Sequence, residues 1–550
     1  MESAKEHIER MKKLETDRTN FDSQFQDCAD YAMPQNSQII SERSSGEALM
    51  DLFDTTMEES NIQLASGLYS FMFPTETRAF VLEVDDEELL KNDAVKQWLD
   101  ATTKTLHKRL IASTFREAFF EHLKSLGCFG TGCLYEEKGK KTPIVFINYF
   151  MRDIYIVRNS DGEVDTVYRR FRFSARQAHQ EFGIENLGEK IRTAYNSVSD
   201  RDKKFEFIHV VEPREDRDTK ADDPKNMPWS SLYISRNESE FVQNSEGGYE
   251  EFPYQVSVFD KDSLEDYGRS PTMKKLPDGR MANELKRIRV KAWDKMVDPT
   301  MLVKDDGSVW PLTTKPGGVV FYRDEKPEWW EFKGNLSEIN DAIQETQKEI
   351  MKGYFVDMFD PLIDKQNMTA TEVQARVEQK LRFLTPIIGR LQSGLFNPMI
   401  QRVIGILSRQ TKKKSDGTVV RLLPEMPPEL SEKEFSVMYL GRLALALRTI
   451  ETEGLTKTLQ EWAPLADMGI LEWLDHINIP TSFRDSARNN GVPATWLNSL
   501  DEVKQIQDDR ATKEQQQKLL EAAPELAKAA KAGGTKPEEG SPTELAMNSI

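Results

Sequence analysis

The sequence predicts an α+β chain that is mainly helical, and three observations carry that prediction. Over residues 1–125, and again through much of the second half, apolar residues recur at three- and four-residue spacing. That is the period of a helix with one buried face. Between about 130 and 260 the pattern changes to short stretches rich in Val, Ile, Tyr and Phe, separated by turn residues, as strands require. Finally, 38% hydrophobic and 30% charged residues in a chain of 550 give enough apolar surface for several cores, with polar surface to spare.

In order, Met1–Asp30 reads as charge-rich helix ending at Met33-Pro34. Asp54–Phe73 follows, with Met57, Leu64, Ala65 and Leu68 apolar, and stops at Pro74. Asp93–Leu126 places Val95, Trp98, Leu99, Leu106 and Leu110 on one helical face. Strands are expected at Pro143–Phe150, Asp153–Val157, Val164–Phe173, Lys204–Val211, Trp229–Ser235 and Pro253–Val258, with Ser160-Asp161-Gly162 as a hairpin turn. Arg280–Val297 is a helix that ends at Asp298-Pro299. Short strands and turns fill 299–334, and Leu336–Phe359 is a second strong helix. Thr369 with Glu372 forms a capping box. It opens a helix of about forty residues, on the order of 60 Å long, in which Pro386 and Pro398 should produce kinks. A basic, Pro-rich connection spans 411–434. Helices resume over Phe435–Ala463, Leu465–Asn478 and Leu497–Ala532, and the residues from Gly533 read as a disordered tail.

Several classes of function find no support. The longest stretch without a formal charge, Ser60–Thr75, contains Asn61, Gln63, Ser66 and Ser70, so it is too short and too polar to span a bilayer. The start is charged from residue 2, which predicts no secretory signal. Three cysteines, Cys28, Cys128 and Cys133, cannot build a disulfide framework, and with twenty methionines they point to synthesis in a reducing compartment. No P-loop, H-E-x-x-H, G-x-S-x-G or C-x-x-C is present. Cys128 and Cys133 with His122 fall short of the four ligands of structural zinc, and read as buried side chains. Gly127, Gly130 and Gly132 do not follow the order of a dinucleotide loop. No catalytic residue, metal or cofactor is expected.

What remains is mechanical. Arg280–Val297 carries Arg280, Lys286, Arg287, Arg289, Lys291 and Lys295 against Glu284 and Asp294, a net of +4 inside a chain of −18. Leu336–Phe359 carries Glu338, Asp341, Glu345, Glu349 and Asp357 against Lys348 and Lys352, a net of −3. Two helices flanking a compact insert are expected to lie antiparallel. Their opposite faces can then meet within a chain or between copies, with Lys286, Arg287 and Arg289 set against Glu338, Asp341 and Glu345. Three tryptophans, Trp310, Trp329 and Trp330, concentrate in the insert and suit a docking surface.

The order of these parts resembles the head-to-tail connector, or portal, proteins of short-tailed bacteriophages. The resemblance rests on Asp51-Leu-Phe-Asp-Thr-Thr56, Leu64-Ala-Ser-Gly-Leu68, Tyr267-Gly-Arg-Ser-Pro271 and Val297-Asp-Pro299. It rests equally on Pro316-Gly317, Asn367-Met-Thr-Ala-Thr-Glu-Val373, Tyr439-Leu-Gly-Arg-Leu-Ala444 and Gly491-Val-Pro493. Each piece is weak alone; the ordered set is specific.

The resemblance implies a closed ring, usually a 12-mer, at one capsid vertex. Within it the expected parts are a wing over 1–271, including the β-rich part 130–260, and stem helices over 272–297 and 336–359 with a clip, 298–335, between them. A channel loop at 360–368, a long kinked wing helix and linker at 369–434, a helical crown at 435–532 and the tail 533–550 complete the chain. Lys365, Gln366, Asn367 and Met368 become the candidates for contact with double-stranded DNA in the channel, and Trp310, Trp329 and Trp330 those for clip docking. The implied partners are the terminase motor, a tail adaptor, and the major capsid and scaffolding proteins, with no membrane. The expected location is the virion, after synthesis in the host cytoplasm. An acidic balance fits a channel that must pass DNA without holding it. A non-viral helical scaffold, and more distantly a metal-dependent nucleic-acid hydrolase, are the alternatives.

Overall fold

The computed structural model describes residues 3–40, 51–74, 78–84, 92–221, 223–297, 301–302, 328–329, 336–359, 384–413, 419–430, 435–439, 457–461, 478–489 and 502–513, with 86, 89 and 498. They fall into two compact units. The first comprises 1–82, 102–425 and 435–447; the second comprises 83–101, 426–434 and 448–550.

The first unit begins with two helices, Ala4–Asp17 (α1) and Thr19–Ala32 (α2), where the sequence suggested one. Ser3 and Glu6 form a capping box at the start of α1. The break falls at Arg18, whose side chain is nearly removed from solvent. Its guanidinium donates to the carbonyls of Met151 (2.9 Å), Arg152 (3.0 Å) and Ile154. It also pairs with Asp22 at 2.8 Å and lies over the Tyr155 ring. A cation this buried is tolerable only with its donors satisfied, and reaching those carbonyls fixes where the helices part.

Next in sequence come Thr56–Met72 (α3), Phe80–Val84 (β1), Asp93–Ile111 (α4) and Phe115–Phe129 (α5), of which residues 83–101 belong to the second unit. The single helix expected over 93–126 is therefore two. Between them Ser113 accepts from Phe115 N–H, and Thr114 Oγ1 bonds both the N–H and C=O of Phe146 at 2.8 Å. Local side-chain bonds of this kind compete with helix. Gly130 ends α5 at φ +73° and lies so close to Gly268 that a Cβ would collide with backbone. The glycine run thus serves close packing.

Two antiparallel sheets follow. The smaller orders Tyr254–Val258 (β10) beside Thr131–Glu137 (β2) beside Val145–Tyr149 (β3). The larger, six-stranded sheet contains Ile154–Arg158 (β4), Val164–Ser174 (β5), Lys204–Pro213 (β6), Trp229–Ser235 (β7), Glu240–Phe241 (β8) and Gly247–Tyr249 (β9). Alternation along its strands separates two faces. Tyr168, Ile208, Val210, Leu232 and Ile234 pack with Ala4, Ile8 and Met11 of α1. Phe171, Phe205 and Phe207 pack with Ala178 and Ile191 of two short helices, Ala175–Phe182 (α6) and Glu189–Asn196 (α7). A third cluster joins α2, the end of α5 and strands of both sheets to the start of the next helix through Phe25, Cys128, Tyr254, Met273 and Leu276.

That helix, Pro271–Val297 (α8), starts nine residues before Arg280, the start expected from periodicity. Ser270 Oγ accepts from Met273 N–H at 2.9 Å and Pro271 takes the first helical position, a favourable start that outweighs Pro277. Short strands Met301–Leu302 (β11) and Glu328–Trp329 (β12) pair antiparallel. The expected helix 336–359 divides into Leu336–Gly353 (α9) and Val356–Phe359 (α10), because Phe355 sits at φ +58°, outside helical geometry.

Helix 384–391 runs through a wide turn, Gln392–Phe396, into Asn397–Ser408 (α11). Pro398 has no N–H for the Gly394 carbonyl and its ring crowds that group. A short hairpin, Thr411–Lys413 (β13) with Val419–Arg421 (β14), stands where only a connection was expected. Phe435–Tyr439 (β15) is a strand, not the start of a helix. Its Tyr439 hydroxyl lies 2.5 Å from Asn397 Oδ1 and its ring meets Phe396 edge-on. The segment pairs with β1 in a two-stranded sheet, which holds this β-prone stretch extended. The opening of the long helix at Thr369 lies outside the described residues.

In the second unit, Ile479–Asn489 (α12) and helices 457–461 and 502–513 are described, and Arg484 donates to the Asn498 carbonyl at 2.6 Å. No helix among the described residues is long and apolar enough to cross a membrane.

Candidate functional site

The helix pair α8 and α9 is antiparallel. Thr272 and Tyr354 share a 2.6 Å hydroxyl bond, Lys275 lies 3.8 Å from Glu349, and Arg289 donates to Asn340 at 3.3 Å. Residue numbers rise along one helix as they fall along the other.

The two halves of this pair differ. In the inner half, Thr272, Met273, Leu276 and Ala282 of α8 are buried, as are Ile350 and Tyr354 near the end of α9. Thr272 Oγ1 also reaches the Gly127 carbonyl at 2.7 Å, and Arg280 pairs with Asp27 of α2 at 2.7 Å. In the outer half of α8, Ile288, Val290, Trp293, Met296 and Val297 are all exposed, Val297 by 86%. Isolated exposed apolar residues are ordinary; a concentration along one helix end makes this a candidate contact surface.

Asp54 stands between the halves, just ahead of α3 and only 3% exposed. Lys286 Nζ lies 2.8 Å from its Oδ2, and Gln347 of α9 donates to the same oxygen at 2.8 Å. Oδ1 accepts from Thr56 N–H at 2.8 Å, closing the first turn of α3. Burial alone would raise the Asp54 carboxyl, yet the bonds from Lys286, Thr56 and Gln347 hold it below the usual carboxylate value. One turn earlier on α8, Asn283 Oδ1 accepts from Phe53 and Asp54 N–H at 2.6 and 3.1 Å, and its amide donates to the Asp51 carbonyl.

The six residues expected to pair across the helices are thus dispersed. Lys286 is committed to Asp54. Arg287 bonds Glu284 on its own helix at 2.7 Å, with both side chains about half exposed. Arg289 stacks over Trp293 at 4.8 Å as well as donating to Asn340. Glu338, Asp341 and Glu345 share the exposed face of α9. Lys365, Gln366, Asn367, Met368, Trp310 and Trp330 lie outside the described residues, as does the Trp329 side chain. Sequence reasoning singled out the segment Asp51–Thr56 but gave Asp54 no partner, and it missed Asn283, Gln347, Thr272 and Tyr354. An aspartate two residues before a helix was the only local signal.

The other chemical candidates sit inside cores. His122 shares a 2.7 Å bond with Ser257, and burial pushes its pKa down to about 3. Burial raises the Cys28 thiol to about 12 and raises Cys128 and Cys133 as well. Among the described residues, no group of three His, Cys, Asp or Glu is placed to hold a metal ion.

The helix pair is thus embedded at one end and carries several exposed apolar side chains on α8 at the other. The chain belongs to the family of bacteriophage head to tail connecting proteins, whose family model matches residues 4–497. It is similar to the portal protein of Salmonella phage epsilon15, 24% identical over 96% of this chain and 95% of the relative. It is also similar to the probable portal protein of Bordetella phage BPP-1 (26%, 82% and 81%) and to the portal protein of Escherichia phage T7 (23%, 85% and 83%).

Proposed function

We propose that copies of this chain close into a ring at one capsid vertex and form the portal through which DNA enters during packaging and leaves during ejection. Family membership supports the connector role. The observation that carries ring closure is the outer half of the helix pair. Its basic helix and acidic helix lie side by side with apolar side chains exposed, so one copy offers α8 and the next offers α9. A contact in which different surfaces of neighbouring copies meet generates a closed ring when its rotation closes. Complementary charge then sets register more than affinity. The ring performs no catalytic step in this account: it guides, gates and docks.

Reversing Arg287 and Lys291 to Glu tests this pairing. Lys286 is left intact because it holds Asp54. Rings should be lost, and Glu338, Asp341 and Glu345 changed to Lys in the same chain should restore them. Normal assembly of the first variant would contradict the pairing. Within the same account, a 12-mer is the expected count, and Lys365 with Gln366, Asn367 and Met368 is assigned to DNA contact. Replacing Lys365 with Glu should change packaging rate or retained genome length; no change in either removes that assignment. Trp310, Trp329 and Trp330 are assigned to docking the terminase motor and then the tail adaptor. Their replacement by Ala should weaken motor or adaptor binding to assembled rings.

A further inference from the structure

We infer that Asp54 is the positioning residue that sets the helix pair against the rest of its unit; the inference rests on the ring reading above. Three elements far apart in sequence converge on one nearly buried carboxylate. Lys286 brings α8, Gln347 brings α9, and the Thr56 N–H belongs to α3. Lys286 and Gln347 share Oδ2 while Thr56 N–H takes Oδ1, so a single carboxylate ties the two helices to each other and to α3. Asn283, three residues before Lys286 and therefore on the same helical face, grips the backbone of residues 51, 53 and 54.

The location gives this node its leverage. Below it, Thr272, Tyr354 and the Gly127 carbonyl fix the inner ends of the helices. Above it, α8 continues from Lys286 to Val297, on the order of 16 Å at 1.5 Å per residue. A tilt of about 10° at Asp54 would displace the far end by about 3 Å, enough to take exposed side chains out of register with a neighbouring copy. A charged, nearly buried node also holds a defined geometry, since either ion alone would be left unpaired.

Spin labels at Gln180→Cys on α6 and Lys291→Cys on α8 would report this position, because both sites are exposed while the three native cysteines are buried. In the dilute, unassembled full chain the account expects one narrow distance distribution. Asp54→Ala and Lys286→Met should broaden and shift it. Asp54→Asn, whose single amide oxygen can keep the Thr56 bond while its NH2 faces Gln347 and Lys286, should have a smaller effect than Asp54→Ala, and Lys286→Arg should keep the narrow distribution. A cooperative unfolding transition, measured on each variant, separates misplacement from failure to fold; if Asp54→Ala does not fold, Lys286→Met carries the test. An unchanged distribution in the folded variants overturns the inference. The distances are read without assembly, so they decide on Asp54 whether or not the wild-type chain closes into rings, and ring counts decide the ring reading separately.

Discussion

The sheet-bearing core and the outer half of the helix pair treat charge in opposite ways. In the core, Arg18 spends its donors on fixed carbonyls, and Arg402 does the same with the carbonyls of Glu136 (3.0 Å) and Glu251. His209 is stacked on Tyr233 and bonded to Tyr254 and Ser231. On α8 and α9, Arg287 bonds an exposed neighbour on its own helix, and Asp341 and Glu345 are exposed. Buried charges hold one chain in shape. Exposed charges beside exposed apolar side chains are what an assembly surface needs, and Asp54 marks the boundary between these regimes.

The sharpest way to break the comparison is Arg18→Ala. Leaving three carbonyls and Asp22 without their partner should cost about 3–5 kcal/mol, read by denaturant unfolding of the unassembled chain. A loss of the size typical of a surface site would show that the core does not depend on this guanidinium.

Acid should act on the core next. His122 and His209 are each held near 3 by burial, against an ordinary value of 6.5. The unfolded chain therefore binds more protons between pH 6.5 and about 3, and stability must fall as pH drops through that window. Replacing either histidine with Gln should flatten the fall.

Glu136 has the opposite sign. Burial, the dominant effect, raises it to about 8 despite Arg402 and the bond from Gln255. The folded chain then binds the extra proton between pH 4.5 and 8, so this group subtracts stability as pH rises. The stability of Glu136→Gln relative to wild type should therefore rise as pH increases from about 4.5 to about 8, read by denaturant unfolding at each pH.

The smallest effect belongs to the other regime. Arg287→Ala should leave unfolding of the unassembled chain unchanged, since exposed pairs add little, while weakening assembly. Equal effects on both would erase the distinction drawn here.

Much of the fold was legible because it is written locally. Alternation in Val164–Phe173 and Lys204–Val211 marked β5 and β6, and the periodicity of Leu336, Ile339, Ile343 and Ile350 marked α9. The breaks were not legible where distant groups cause them. Arg18 parts α1 from α2 by reaching carbonyls more than a hundred residues away, and β15 is extended because it pairs with β1, far earlier in the chain. The start of α8 at Ser270-Pro271 is hidden from apolar periodicity because Pro277 and Gly279 interrupt its first turns. The helix pair itself followed from the order helix, insert, helix. The partner of Lys286 did not, since Asp54 lies outside both helices and only folding brings it near.

Electron microscopy of the purified full chain tests the central claim most directly. The account predicts closed rings around an opening wide enough for duplex DNA, with α8 and α9 of adjacent copies in contact around it. Particles that stay single or paired at every concentration, or rings in which α8 and α9 touch no neighbour, would contradict it.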